Sequence, residues 1–211
     1  MKLYFHPLST YSQKVVMGFH EKQASFTPEI VSLQDPASRA AYLAVNPLGK
    51  LPTLVLDDGY SIPESSIILE WLDTHVSTGN RLIPDDKDLA RRTRFHDRLA
   101  DLYVNNPTAT LFFDSQKPEA QRNPAAVKAA HETLDTMFGI LDKAFAKNTW
   151  ALGEIFSMAD VAMAPTLGYL RRVKPFTAHK NLVSYAGRLF ERPSYQKVAA
   201  DAAPYLAAMK G

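Results

Sequence analysis

The spacing of apolar residues changes several times in the first third of the chain. In "KLYF" (Lys2–Phe5) β-forming residues are contiguous and stop at His6-Pro7, which predicts a short strand. From Ser12 to about Lys22 the period lengthens, with Val15, Val16 and Phe19 at helical spacing. "SFTPEIVSL" returns to an extended pattern, and Pro28 within it suits only an edge strand, because proline donates nothing to a ladder. "DPASRAAYLAV" predicts a helix with Asp35 as N-cap and Pro36 in its first turn, ending at Asn46-Pro47. "TLVLDDGYSI" is two apolar runs joined by Asp57-Asp58-Gly59, a hairpin. A helix over Ser65–His75 follows, buried through Ile67, Ile68, Trp71 and Leu72. The order β-α-β-α-β-β-α predicts a small α/β domain.

"VSTGNRLIPDDKD" (Val76–Asp88) then loses all periodicity and clusters Gly, Asn and Pro, the pattern of a linker. No strand pattern returns after it. Helical spacing predicts Asp88–Asn105, Asn123–Ala146, Met158–Leu170, Asn181–Phe190 and Pro193–Met209. The expected organisation is an α/β domain over 1–78, a linker over 79–87 and an all-α domain over 88–211.

Composition narrows the function classes. Hydrophobic residues make up 46% and charged residues 22%, enough for a packed core. Lys+Arg number 24 against 22 Asp+Glu, so no basic excess points to nucleic acid or an anionic membrane. "MKLYFHPLSTYS" lacks the apolar stretch of a secretory signal, and no run is long enough to span a bilayer. A cytoplasmic protein is expected. With no cysteine, the chain has no disulfide, thiolate–zinc site or catalytic thiol. Its six histidines show no ligand spacing, and no metal is expected.

Three stretches break local rules, and each has a chemical reading. In "NPLGKLPTL", Pro52 stands at the front of a strand. A cis Leu51–Pro52 bond would leave the Leu51 N–H and C=O at an edge, free to pair with an extended peptide; an ordinary trans loop proline is the plain alternative. In "IPESSIILEWL", the helix start at Glu64-Ser65 offers unpaired N–H groups, the positive end of a dipole and a hydroxyl to a carboxylate, while Glu64 can accept from an ammonium. Capping by Ser65 or Ser66 explains the serine but not the glutamate before it. In "PLSTYSQKV", the loop residues Ser9, Thr10, Tyr11 and Ser12 precede a helix, where a hydroxyl can donate to a thiolate or merely cap. Together they describe a site for a small peptide with a thiol at its middle and an amino-acid end.

In this order, the serine loop, "NPLGKLP" and "PESSIILEWL" closely resemble the cytosolic glutathione transferases, in particular serine-type, bacterial-like members. "FSMADVAMAP" (Phe156–Pro165) and "FERPSYQKV" (Phe190–Val198) resemble that family's C-terminal motifs, so the likeness covers essentially the whole chain. It implies a thioredoxin-like domain followed by a helical one, a homodimer, and glutathione as co-substrate. It implies that Leu51 and Pro52 pair the cysteinyl unit, that Glu64 and Ser65 grip the γ-glutamyl end, and that Lys50 reaches the glycyl carboxylate. Ser9 aligns with the activating hydroxyl of serine-type classes, with Ser12, Thr10, Tyr11 and Tyr4 as alternates. Tyr103, Asn106, Phe112 and Phe113 are the candidates for a hydrophobic pocket. "SMAD" also has its own physical reading as a capping box, Ser157 with Asp160, and carries no chemistry.

The implied reaction is attack of the glutathione sulfur on a small hydrophobic electrophile. A glutathione-dependent isomerase or dehalogenase of the same fold is a second possibility, although "LSTYSQKV" departs from the maleylacetoacetate isomerase pattern. A non-catalytic module that binds a ligand or partner is the alternative from another class.

Overall fold

The structure is a computed structural model that describes residues 1–208; the predicted helix end at Met209 lies outside them. By packing, the chain forms two compact units, Met1–Leu82 together with the segment from Pro193 onward, and Ile83–Arg192.

The first unit is built on four strands, β1 (Lys2–Phe5), β2 (Thr27–Ile30), β3 (Thr53–Val55) and β4 (Ser61–Pro63), in the order β2-β1-β3-β4. β1 and β2 are parallel and the other neighbours antiparallel. Pro28 lies on the edge strand β2, where its missing N–H costs no ladder bond. Register places Leu3 opposite Leu54 and Leu54 opposite Ile62, one buried apolar row across the sheet. The helices of this unit are α1 (Thr10–Glu21), α2 (Pro36–Leu43) and α3 (Ser65–His75), joined by the last helix of the chain, α9 (Pro193–Ala208), which packs on α1. α3 has the predicted bounds, but its buried apolar residues are Ile68, Leu69 and Leu72, while Ile67 is 52% exposed. α1 and α3 meet at Gly18, where a Cβ would stand 2.1 Å from Leu69 Cδ2, so any larger residue there requires the Leu69 side chain to move.

The stretch after α3 is bonded into this unit. Buried Lys22 pairs with buried Asp73 at 3.3 Å, and Asp73 also accepts from the Leu82 N–H at 2.7 Å. Glu21 accepts from Asn80 Nδ2 at 2.6 Å and from the Ser194 hydroxyl at 2.5 Å, tying α1 to that stretch and to the start of α9.

The second unit contains α4 (Lys87–Leu99), α5 (Asn106–Ser115), α6 (Pro124–Phe145), α7 (Met158–Val173) and α8 (Lys180–Phe190). A π-helical turn, Ala100–Asn105, joins α4 to α5. Pro107 has no N–H to return to the preceding turn, and the Asn106 N–H reaches back five residues to the Asp101 carbonyl instead. The helix therefore continues where the prediction stopped at Asn105. At the head of α7, Ser157 N–H donates to Asp160 Oδ2 at 3.0 Å, one limb of the expected capping box. Asp160 is fully buried and accepts also from the Ala151 N–H and the Tyr185 hydroxyl, each at 2.8 Å. Burial pushes its pKa up to about 6, against the pull of those donors.

Candidate functional site

The three rule-breaking stretches emerge at one end of the first unit's sheet. Tyr4 at the end of β1 pairs with Thr53 at the start of β3, and Thr53 pairs with Pro63 at the end of β4. The loop to Ser9 leaves β1 there, Leu51-Pro52 enters β3 there, and Glu64-Ser65 leaves β4 there. Residues as far apart in sequence as Ser9 and Ser65 thus reach one edge because β1 and β4 run opposite to β3.

Ser9 is the N-cap of α1, its Oγ accepting from the Ser12 N–H at 3.2 Å. That bond uses an oxygen lone pair and leaves the hydroxyl proton without an acceptor among the described residues. Ser12 differs: it is fully buried, and its Oγ accepts from the His6 N–H at 3.3 Å. His6 in turn accepts the Leu8 N–H on Nδ1 at 3.1 Å, so that nitrogen carries no proton, and burial holds the imidazole pKa down. Gln13 Nε2 donates to the Pro7 carbonyl at 2.6 Å, fixing the same loop to α1. Thr10 and Tyr11 occupy the first turn of α1, half-buried. Tyr4 is half-buried in β1, its ring 6.0 Å from that of Tyr42.

The Leu51–Pro52 bond is cis. Neither the N–H nor the C=O of Leu51 has a partner among the described residues, so both hydrogen-bonding groups stand open before β3 begins. Lys50 is exposed. Sequence reasoning missed the residues behind this turn. Tyr42, 2% exposed, is the single buried residue of α2, and its hydroxyl donates to the Lys50 carbonyl. Asn46, which the sequence marked only as a helix end, donates from Nδ2 to the same carbonyl at 3.0 Å and to Thr53 Oγ1 at 2.9 Å. One buried aromatic in an otherwise exposed helix was the only available signal.

At the third stretch, α3 has no side-chain cap, a lack it shares with α5 and α8, whereas α1, α2, α4, α6 and α7 are capped by Ser9, Asp35, Asp86, Asn123 and Ser157. Glu64 precedes it at φ 70°, ψ 117°, a left-handed backbone that a residue with a Cβ adopts only under strain. This leaves Glu64 exposed, Ser65 buried, and the N-terminal dipole of α3 uncovered. Below it, the 1%-exposed Lys14 of α1 donates to Ser66 Oγ at 2.9 Å, joining α1 to the head of α3.

In the second unit Tyr103 lies on the π-helical turn and Asn106 opens α5, both exposed. Phe112 and Phe113 come together at 5.3 Å between ring centres, and Phe112 also meets Tyr169 of α7 at 6.3 Å. Among the described residues no group of His, Asp and Glu is placed to hold a metal.

Residues 8–75 match the family model for the N-terminal domain of glutathione S-transferase, and residues 124–200 match that for its C-terminal domain. The chain is 28% identical to glutathione S-transferase GstB of Escherichia coli K12, over 90% of this chain and 93% of the relative. It is equally 28% identical to a stringent starvation protein A homolog of Coxiella burnetii, over 93% and 90%. A solved glutathione S-transferase of Methylobacillus flagellatus with glutathione bound superposes at a TM-score of 0.85, with 28% identity, over 93% of this chain and 98% of that one.

Proposed function

Because the chain belongs to the glutathione S-transferase family, we propose that it binds glutathione at the sheet edge of its first unit and conjugates it to a small hydrophobic electrophile. The observation that carries this reading is the convergence there of an open Leu51 backbone, an uncapped helix start at Glu64-Ser65 and the uncommitted proton of Ser9. Leu51 pairs with the cysteinyl backbone as an added strand would. The α3 N-terminus and the Ser65 hydroxyl take the γ-glutamyl carboxylate, Glu64 takes its ammonium, and Lys50 the glycyl carboxylate.

The Ser9 hydroxyl then donates a hydrogen bond to the glutathione thiolate and keeps its proton. A free thiol has a pKa near about 8.5, so lowering it by about two units requires about 2.7 kcal/mol of preferential stabilisation of the thiolate. One charge-assisted hydrogen bond plus a helix N-terminus is of that size. Ser12 is the weaker candidate because its buried oxygen already serves His6. In the conjugation the sulfur lone pair forms the new C–S bond. The electrons of the breaking bond leave with the displaced group or, in an addition, pass to the acceptor atom, and the thiol proton goes to solvent. Tyr103, Asn106, Phe112 and Phe113 are the proposed lining for the electrophile. The reading includes a cytoplasmic homodimer; exposed Ile67 on α3 and Phe95 on α4 favour association.

Titrating glutathione across pH while following thiolate ultraviolet absorbance tests the reading. A thiolate signal near neutral pH that Ser9→Ala abolishes while binding persists is the expected result. A second reading is a binding protein without catalysis, because one relative that aligns over 93% of this chain is named for stringent starvation and not for a transfer reaction. Binding with no thiolate would decide for it. No binding by the wild type would overturn both, and a signal lost in Ser12→Ala but kept in Ser9→Ala would reassign the hydroxyl.

A further inference from the structure

We propose that Tyr42, Asn46 and Thr53 are positioning residues that aim the Leu51 N–H at the bound peptide, an inference that rests on glutathione binding at this edge. Their hydrogen-bond directions are forced. The Lys50 carbonyl only accepts, so the one proton of the Tyr42 hydroxyl goes to it. The Tyr42 oxygen then accepts, and the Thr53 hydroxyl is its donor at 2.7 Å. Thr53 Oγ1 in turn accepts from Asn46 Nδ2 at 2.9 Å, whose other proton goes to the Lys50 carbonyl at 3.0 Å. Asn46 Oδ1 accepts from the Leu48 N–H at 3.1 Å, which fixes the orientation of the amide. Every donor of this buried ring has an acceptor, so it has one low-energy arrangement.

The Lys50–Leu51 peptide group is trans and planar, with its C=O and N–H pointing in opposite directions. Two donors drawing the Lys50 carbonyl toward Tyr42 and Asn46 therefore turn the Leu51 N–H away from the ring, to the side where it meets no partner among the described residues. The cysteinyl subsite is thus set by a helix, α2, that touches the core through one side chain.

Calorimetry with glutathione and with S-methylglutathione, which keeps the backbone and lacks the thiol, tests this on Tyr42→Phe. Affinity for both ligands should fall by about three- to tenfold, the worth of one lost buried hydrogen bond, while the thiolate pKa of bound glutathione stays put. Tyr185→Phe in the second unit is the control, losing a buried hydroxyl with unchanged affinity. Thr53→Val should repeat the loss and Thr53→Ser should restore it, which also serves if Tyr42→Phe does not fold. Wild-type binding with unaltered affinity in folded Tyr42→Phe or Thr53→Val overturns the inference, as does an equal loss in Tyr185→Phe. Absence of wild-type binding instead overturns the glutathione reading beneath it.

Discussion

Tyr42 and Tyr185 are the two most deeply buried tyrosines, one in each unit, and both close a polar ring with their hydroxyls. The rings differ in charge and in what they hold. Around Tyr42 every partner is neutral, and the ring fixes a backbone carbonyl next to an open strand edge. Around Tyr185 the partner is the carboxylate of Asp160, and the ring fixes the start of α7 inside the second unit. A neutral ring can stand beside a ligand without adding a charge that competes with the substrate's own. A buried carboxylate tolerates its site only while several donors surround it. On the proposed reading, one ring therefore bears on binding and the other on stability.

The sharpest way to break that contrast is Asp160→Ala. It strands the Ala151 and Ser157 N–H groups and the Tyr185 hydroxyl, each at a cost of about 1–3 kcal/mol. A loss of roughly 3 kcal/mol or more should appear in denaturant unfolding, with glutathione affinity intact in whatever remains folded. Altered affinity at full stability would erase the division between the rings. Ser157→Ala removes one member of the same cap and should cost about 0.5–2 kcal/mol, again without touching affinity; a loss confined to turnover would refute the structural role.

The smallest effect near neutral pH concerns charge. With a folded pKa of about 6 against 3.8 unfolded, Asp160 binds a proton more readily in the folded state. Its contribution to stability therefore grows as pH falls from about 6 toward 3.8 and is lost as pH rises through 6. Asp142 has the opposite sign: the Leu182 and Asn181 amides hold its carboxyl below the usual value, so what it adds is lost on acidification. Measuring stability against pH for wild type and Asp160→Asn isolates the first of these. The difference curve should be flat above pH 7, where the carboxyl is ionised in both states, and should tilt in favour of wild type below pH 6. A flat difference throughout would mean that the buried carboxyl titrates normally.

The two rings also mark how far a sequence can be read. Ser157 and Asp160 are three residues apart on one helix turn, so their cap is a local pattern visible in "SMAD". Tyr42, Asn46, Lys50 and Thr53 meet only because β3 pairs with β1 and draws the loop back across α2, and no periodicity signals that. The helix α3 and the hairpin before it were legible because turn residues and apolar runs agree locally. The helix beyond Asn105 was not, because Asn-Asn-Pro reads as a stop while a π-helical turn absorbs the missing N–H of Pro107. The linker-like composition from Val76 concealed Asn80 and Leu82, whose bonds to Glu21 and Asp73 bind that stretch into the first unit. The packing of α9 with α1 was equally invisible, since the two lie at opposite ends of the chain.

That last contact bears on the order of synthesis. As the chain leaves the ribosome, the sheet and α1–α3 emerge first, yet Glu21 must wait for Ser194 to arrive before its carboxylate is fully enclosed. The unit made first is the unit completed last, and the nascent chain exposes the α9-binding flank of α1 until the entire second unit has been translated.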